Sequence, residues 1–248
     1  MNLTGLAELG VVGLSVVLLI VLSFLHRRSP FKFRDIPVYS HLRRAIGLAV
    51  EDGTRVHFSL GRGSIITPSA ASALVALSAL RRIGERTVVS DNPPVATAGD
   101  GALAILAQDS LSSAYDAAGA LDLFEPDSAR AAGLTPFSYA AATIPVLRDE
   151  NISANVVLGN FGMEVGLVAD AAERDGIFTI AASDQIPAQA VLFATTPDAL
   201  IGEELYAAGA YLQSGPMHSA SLALQDILRW GIVVIIIGGA VLKLLGVL

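Results

Sequence analysis

Asn155-Val156-Val157-Leu158-Gly159, Asn160-Phe161-Gly162-Met163, Glu164 to Arg174, Asp175-Gly176 and Ile177-Phe178-Thr179-Ile180-Ala181-Ala182 follow one another without interruption. The first five residues read as an apolar strand, the next four as a turn, and Glu164 to Arg174 as a helix. Asp175-Gly176 stops that helix, and Ile177 to Ala182 reads as a second apolar strand. Two strands without a polar face, joined by a helix, pair in parallel and are covered on both sides. The unit predicts an α/β fold, a mainly parallel sheet flanked by helices and Rossmann-like in kind.

The pattern extends both ways. Upstream, Val38 to Glu51 has apolar residues at helical spacing and ends at Asp52-Gly53, with Arg43 and Arg44 on another face for solvent or anionic lipid. Arg55 to Leu60 reads as a strand and Thr87 to Ser90 as a short one closed by the Asp91-Asn92-Pro93-Pro94 turn. Between them, Thr67-Pro68 has the form of a helix start. The helix from Ser69 to Arg82 is small and apolar on nearly every side until Arg81. Such a helix is buried on more than one side, under a second layer or against another subunit. Helices are expected from Ala102 to about Ala118 and from Phe137 to Glu150, where Pro145 predicts a kink or an early end. Leu121 to Thr135 reads as a loop with a short helix, Ala190 to Ala194 as a strand, and Ala199 to Leu212 as a helix opened by Thr196-Pro197.

Beyond this body lie two long apolar runs. Leu6 to Leu25 is long enough to match a bilayer's hydrocarbon thickness, and Arg27, Arg28, Lys32 and Arg34 follow it. Nothing before the run carries a side-chain charge, so it reads as an uncleaved anchor and not a secretory signal. The positive-inside bias puts that basic cluster in the cytoplasm and the short N-terminus outside. At the other end, Arg229 and the interfacial residue Trp230 precede an apolar run to Leu248. The expected layout is residues 1–5 external, 6–25 a first span, 26–37 a basic linker, 38–227 a cytoplasmic domain and 228–248 a second span. Both termini are then external to the cell membrane. That topology puts Glu8 and Lys243 at similar depth near the outer face, a potential ion pair, although snorkelling of Lys243 explains its position as well.

Charge separates along the same lines. From Val38 to Asp226 the chain has 10 Arg, no Lys and 21 Asp or Glu, a net charge of −11. No basic stripe exists to displace counterions from phosphates, which argues against nucleic-acid binding. The chain has no cysteine, which excludes disulfides, thiolate metal sites, iron–sulfur clusters and cysteine nucleophiles.

Candidate ligand-binding residues are the turn glycines. Gly61, Gly63 and Ser64 follow a strand and precede a helix, where backbone N–H groups and a helix dipole can hold an anion. Gly159 and Gly162 are placed alike. Both fingerprints are incomplete: Ile66 stands where a third glycine would be, and no Gly-Lys-Ser/Thr follows. Tight turns account for such glycines equally well. Asp91 and Asp184, each within a Ser-Asp-amide triplet, are expected after strands, at the edge where α/β sheets bind ligands, and turn chemistry explains both triplets equally well. His26, His41, His57 and His218 are scattered, with no spacing suited to a metal, and there is no Gly-x-Ser-x-Gly elbow. No catalytic residue, metal or cofactor is assigned.

With the first span, the Gly61-Arg62-Gly63-Ser64 turn, the apolar Ser69 to Leu80 helix and the C-terminal span in view, the chain resembles a family of uncharacterised prokaryotic membrane proteins. That family is defined by a domain of unknown function, and the resemblance implies no activity. Two short spans, a helix without a polar face and no active-site pattern point to a membrane-anchored, self-associating scaffold, a homo-oligomer or the companion of another membrane protein. The alternative is a membrane-tethered regulatory module binding a small molecule or nucleotide through the glycine turns. An enzyme ranks third.

Overall fold

A computed structural model describes residues 3–67, 69–88, 90 and 92–245. The chain divides into two compact units: Asp35–Leu212, and the N-terminal segment to Arg34 together with the segment from Gln213 onward. Pro68 and Asp91 lie outside the described residues, so the expected proline at the start of the third helix and the acidic residue after the second strand are not placed.

The second unit is built on two helices, α1 (Leu3–Arg28) and α9 (Pro216–Leu244), which pack against each other. Both are long and apolar enough to cross a membrane, and their apolar windows are almost wholly exposed. Arg27 and Arg28 sit in the last turn of α1, and Lys32 and Arg34 follow in an irregular segment. Trp230 is exposed in mid-α9, and Lys243 lies in its last turn. Glu8 and Lys243 are both exposed, and among the described residues neither forms an ion pair.

Asp35–Leu212 holds six parallel strands: β1 (Arg55–Gly61), β2 (Val95–Ala98), β3 (Ala129–Ala131), β4 (Ile152–Asn160), β5 (Phe178–Ser183) and β6 (Asp198–Leu200). Their order across the sheet is β3-β2-β1-β4-β5-β6, and every neighbouring pair is parallel. The helices are α2 (Pro37–Glu51), α3 (Ala70–Thr87), α4 (Gly101–Ala117), α5 (Pro136–Asp149), α6 (Val165–Arg174), α7 (Ile186–Thr195) and α8 (Glu204–Tyr211). Val56, Phe58 and Leu60 of β1 point to the face covered by α2, α3, α4 and α8, where the larger core cluster forms. The opposite face carries α5, α6 and α7 over Val157 and Ala181. The α/β expectation holds: a parallel sheet flanked by helices, with an apolar helix at each chain end.

Three local expectations fail. Of the expected strand Thr87 to Ser90, Val89 lies outside the described residues and Thr87, Val88 and Ser90 are not in a strand. Thr87 closes α3, its hydroxyl donating back to Ile83 O at 3.0 Å, and the second strand is instead the alanine-rich Val95–Ala98. Ala190 to Ala194 belongs to α7, which Pro187 opens as a first-turn proline. The segment from Asp198 makes an edge strand before the helix, which is confined to Glu204–Tyr211. The loop after α4 holds two single 3-10 turns and β3, and α5 continues past Pro145 to Asp149. Tyr39 of α2 stacks on Tyr211 of α8 with centroids 4.8 Å apart, so the two ends of this unit meet in one helical layer.

Candidate functional site

From β1 the chain runs outward to β2 and β3, then returns to lay β4 on the other side of β1. Helices following β1 and β4 leave to opposite faces of the sheet, so a crevice opens between the carboxyl ends of these two strands. The structure gathers Gly61, Gly63, Gly159 and Gly162 there, beside Asn160.

Packing accounts for the glycines. Gly61 has φ +70°, and a Cβ there would stand 2.3 Å from Asn160 O. Gly159 has φ +150°, and its Cβ would stand 2.1 Å from Leu60 O. Both residues let β1 and β4 close on each other at a break in their register. At Gly63 a Cβ would meet the Cβ atoms of Asn160 at 3.2 Å and Ala73 at 3.3 Å, so this glycine sets the seat of α3. Ser64 offers its carbonyl to Thr67 within the connecting turn.

Carboxylates of the chain itself occupy the positions where an anion would be cradled. Asp184, just past β5, accepts from Ser72 Oγ in the first turn of α3 at 2.8 Å and from Asn160 Nδ2 at 2.7 Å. Glu164, buried after β4, accepts from the Gly162 N–H at 2.9 Å and pairs with Arg62 Nε at 3.3 Å. The Arg62 stem lies against Gly99, where a Cβ would stand 2.3 Å from Arg62 Cγ. A helix start and a turn N–H suited to phosphate thus already hold negative charge, and a second anion entering here meets repulsion. The other triplet is placed differently: Ser90 and Asn92 precede β2, so they lie away from this edge, and Asn92 Nδ2 caps Gly53 O at 2.6 Å.

Beneath the crevice lies a polar network within the sheet. On β1, His57 and Ser59 point to the face opposite Val56 and Phe58. His57 Nδ1 lies 2.8 Å from Asn155 Oδ1 and Nε2 lies 3.0 Å from Thr97 Oγ1. The Tyr139 hydroxyl of α5 bonds Ser59 Oγ at 2.6 Å and Thr97 Oγ1 at 3.2 Å, and accepts from the Gly61 N–H at 3.3 Å. Burial lowers the His57 pKa to about 4 and raises that of Tyr139. These groups bond one another and are closed to solvent, so they hold the crevice floor without reaching a substrate. Asn155 Nδ2 is buried beside them and has no hydrogen-bond partner among the described residues. The local signal was the alternation Val56-His57-Phe58-Ser59-Leu60, unusual in a strand covered on both faces.

Two of the other three histidines make separate contacts. His26 Nδ1 accepts from Phe31 N at 3.1 Å, and His41 Nδ1 lies 2.8 Å from Asp198 Oδ1. Among the described residues, no three His, Cys, Asp or Glu side chains gather as a metal site would require. A family model described as "Domain of unknown function (DUF6754)" matches residues 4–248. No curated protein and no solved structure matches the chain.

Proposed function

The chain belongs to the family described as Domain of unknown function (DUF6754), and we propose that it is a self-associating scaffold, a Rossmann-like domain fastened to the cell membrane by α1 and α9. The strand order and the crevice beside β1 support the Rossmann-like reading. The basic residues from Arg27 to Arg34 support a topology with the domain cytoplasmic and both termini external.

One observation carries the self-association. α7 presents an outer face made of Ile186, Pro187, Ala190, Phe193 and Ala194, with no charge on it. Ile186 is 79% exposed and Phe193 75%. Against this helix lies α6, so closely that a Cβ on Gly166 would stand 2.6 Å from Val191 Cγ1. Near that contact, Met163 and Leu167 add exposed apolar surface. An exposed apolar surface of this kind on an otherwise acidic domain marks a protein interface. A second copy supplies the same uncharged face and meets it without burying an ion, as a two-fold contact requires. The apolar helix that first suggested a subunit contact, α3, is taken up within its own domain, with Ala73, Ala76, Ala79 and Leu80 all fully buried.

Purified in mild detergent, the full chain is expected to run as a dimer or larger assembly by light scattering corrected for detergent. Phe193→Asp should shift it to monomer, while its melting temperature stays within about 2 °C, because the side chain is exposed. A monomeric wild-type chain, or an assembly indifferent to Phe193→Asp, would overturn the proposal. The alternative, a module binding nucleotides through Gly61 to Ser64 and Gly159 to Gly162, has less support, because Asp184 and Glu164 fill the places a phosphate would take.

A further inference from the structure

At the opposite edge of the sheet, near the amino ends of β4 and β5, a cavity of about 410 Å³ opens beside α2. It lies within the size range of small-molecule sites. His41, Arg44, Ala45 and Leu48 line it from successive turns of α2, and Phe178 and Ser153 face them from the starts of the two strands. The walls are sorted by chemistry. Ala45, Leu48 and Phe178 make an apolar surface, and Leu48 is 48% exposed there. Arg44 adds a cation to the lining, and its guanidinium forms no ion pair or hydrogen bond among the described residues. The His41–Asp198 contact at 2.8 Å ties α2 to the start of β6.

We propose that this cavity binds an organic monocarboxylate with an apolar body, its carboxylate on Arg44 and its body against Leu48 and Phe178. A planar guanidinium matches a carboxylate through two parallel hydrogen bonds. Asp52 also lines the cavity, about 12 Å along the helix from Arg44 at the usual rise per residue. Its carboxylate selects against ligands of higher negative charge and leaves Arg44 to hold one anionic group. This site is separate from the α6–α7 face and from the glycine crevice. It therefore stands or falls independently of self-association.

The full chain in lipid nanodiscs, titrated with 3-phenylpropionate and followed by saturation-transfer NMR, is expected to bind saturably with a Kd below about 1 mM. Arg44→Gln should weaken that binding tenfold or more, whereas Arg43→Gln, outside the cavity, should leave it unchanged. The amine of the same length, 3-phenylpropan-1-amine, should not saturate. The proposal is overturned by the absence of saturable binding to the carboxylate, by equal losses in the Arg43 and Arg44 variants, or by equal binding of the amine. Both arginines are exposed, so neither substitution threatens the fold.

Discussion

Gly159→Ala is expected to destabilise the α/β domain by about 4 kcal/mol or more. Two costs fall on the same atom. With φ at +150°, the backbone there is in a region where an L side chain is strained by about 1–3 kcal/mol. The new Cβ would also stand 2.1 Å from Leu60 O, in the neighbouring central strand. Relief requires β1 and β4 to separate, which breaks the ladder at the middle of the sheet and opens the apolar layers on both faces. A loss of 4 kcal/mol or more takes a large part of the roughly 5–15 kcal/mol that holds a domain together. Gly53→Ala is the control: φ is +63° there, but a Cβ would meet nothing within 4 Å, so about 1 kcal/mol is expected. Denaturant unfolding of the two variants in the full chain, followed by circular dichroism, separates strain from steric overlap. A Gly159→Ala protein as stable as Gly53→Ala would remove the close approach as the reason for this glycine.

The same glycine shows how far the fold was legible. Strand ends at Gly61 and Gly159 are visible because apolar runs stop there, and α/β alternation follows from runs such as Asn155 to Ala182. What one chain segment does not reveal is which strand will lie beside it. Gly61 and Gly159 resemble phosphate turns when each is read alone, and a packing reason emerges only once β1 and β4 are neighbours. Strand assignment failed for related reasons. Thr87 and Val88 are β-branched, but Thr87 is the last residue of a helix already running and Val88 caps it, whereas Val95–Ala98 is strand because it is buried between β1 and β3. Ala190 to Ala194 is a short apolar run, which periodicity does not assign to strand or helix. The exposed face of α7 escaped for that reason as well, since an apolar strand and an apolar helix present their residues to different neighbours.

The network around His57 lies furthest from sequence reach, because its partners Thr97, Tyr139 and Asn155 come from three other elements. It carries the second large prediction, a loss of stability in mild acid. His57 is fully buried between Asn155 Oδ1 and Thr97 Oγ1. One partner accepts and the other can donate, which suits a neutral ring with its proton on Nδ1. A second proton on Nε2 would turn the Thr97 hydroxyl from donor to acceptor and put a charge in a fully buried site where, among the described residues, no carboxylate lies in contact. Desolvation therefore lowers the pKa from 6.5 to about 4, against the opposing bond to Asn155. In the unfolded chain the ring takes up its proton as pH falls past about 6.5, while the folded protein resists until about 4. Stability contributed by the neutral ring is thus complete above pH 7, declines between about 6.5 and 4, and levels off below. At 1.36 kcal/mol per pKa unit the loss comes to about 3 kcal/mol. Carboxylates titrate in part of the same window, so the comparison is with His57→Gln, which keeps a donor and an acceptor but does not titrate. Plotted against pH, the stability difference between wild type and variant should fall by about 3 kcal/mol from pH 7 to 4. Should His57→Gln fold poorly, imidazole carbon shifts of the wild-type chain supply the same reading, with the ring remaining neutral at pH 5. Parallel pH profiles, or a ring half-protonated near 6.5, would show that His57 is not held neutral by this network.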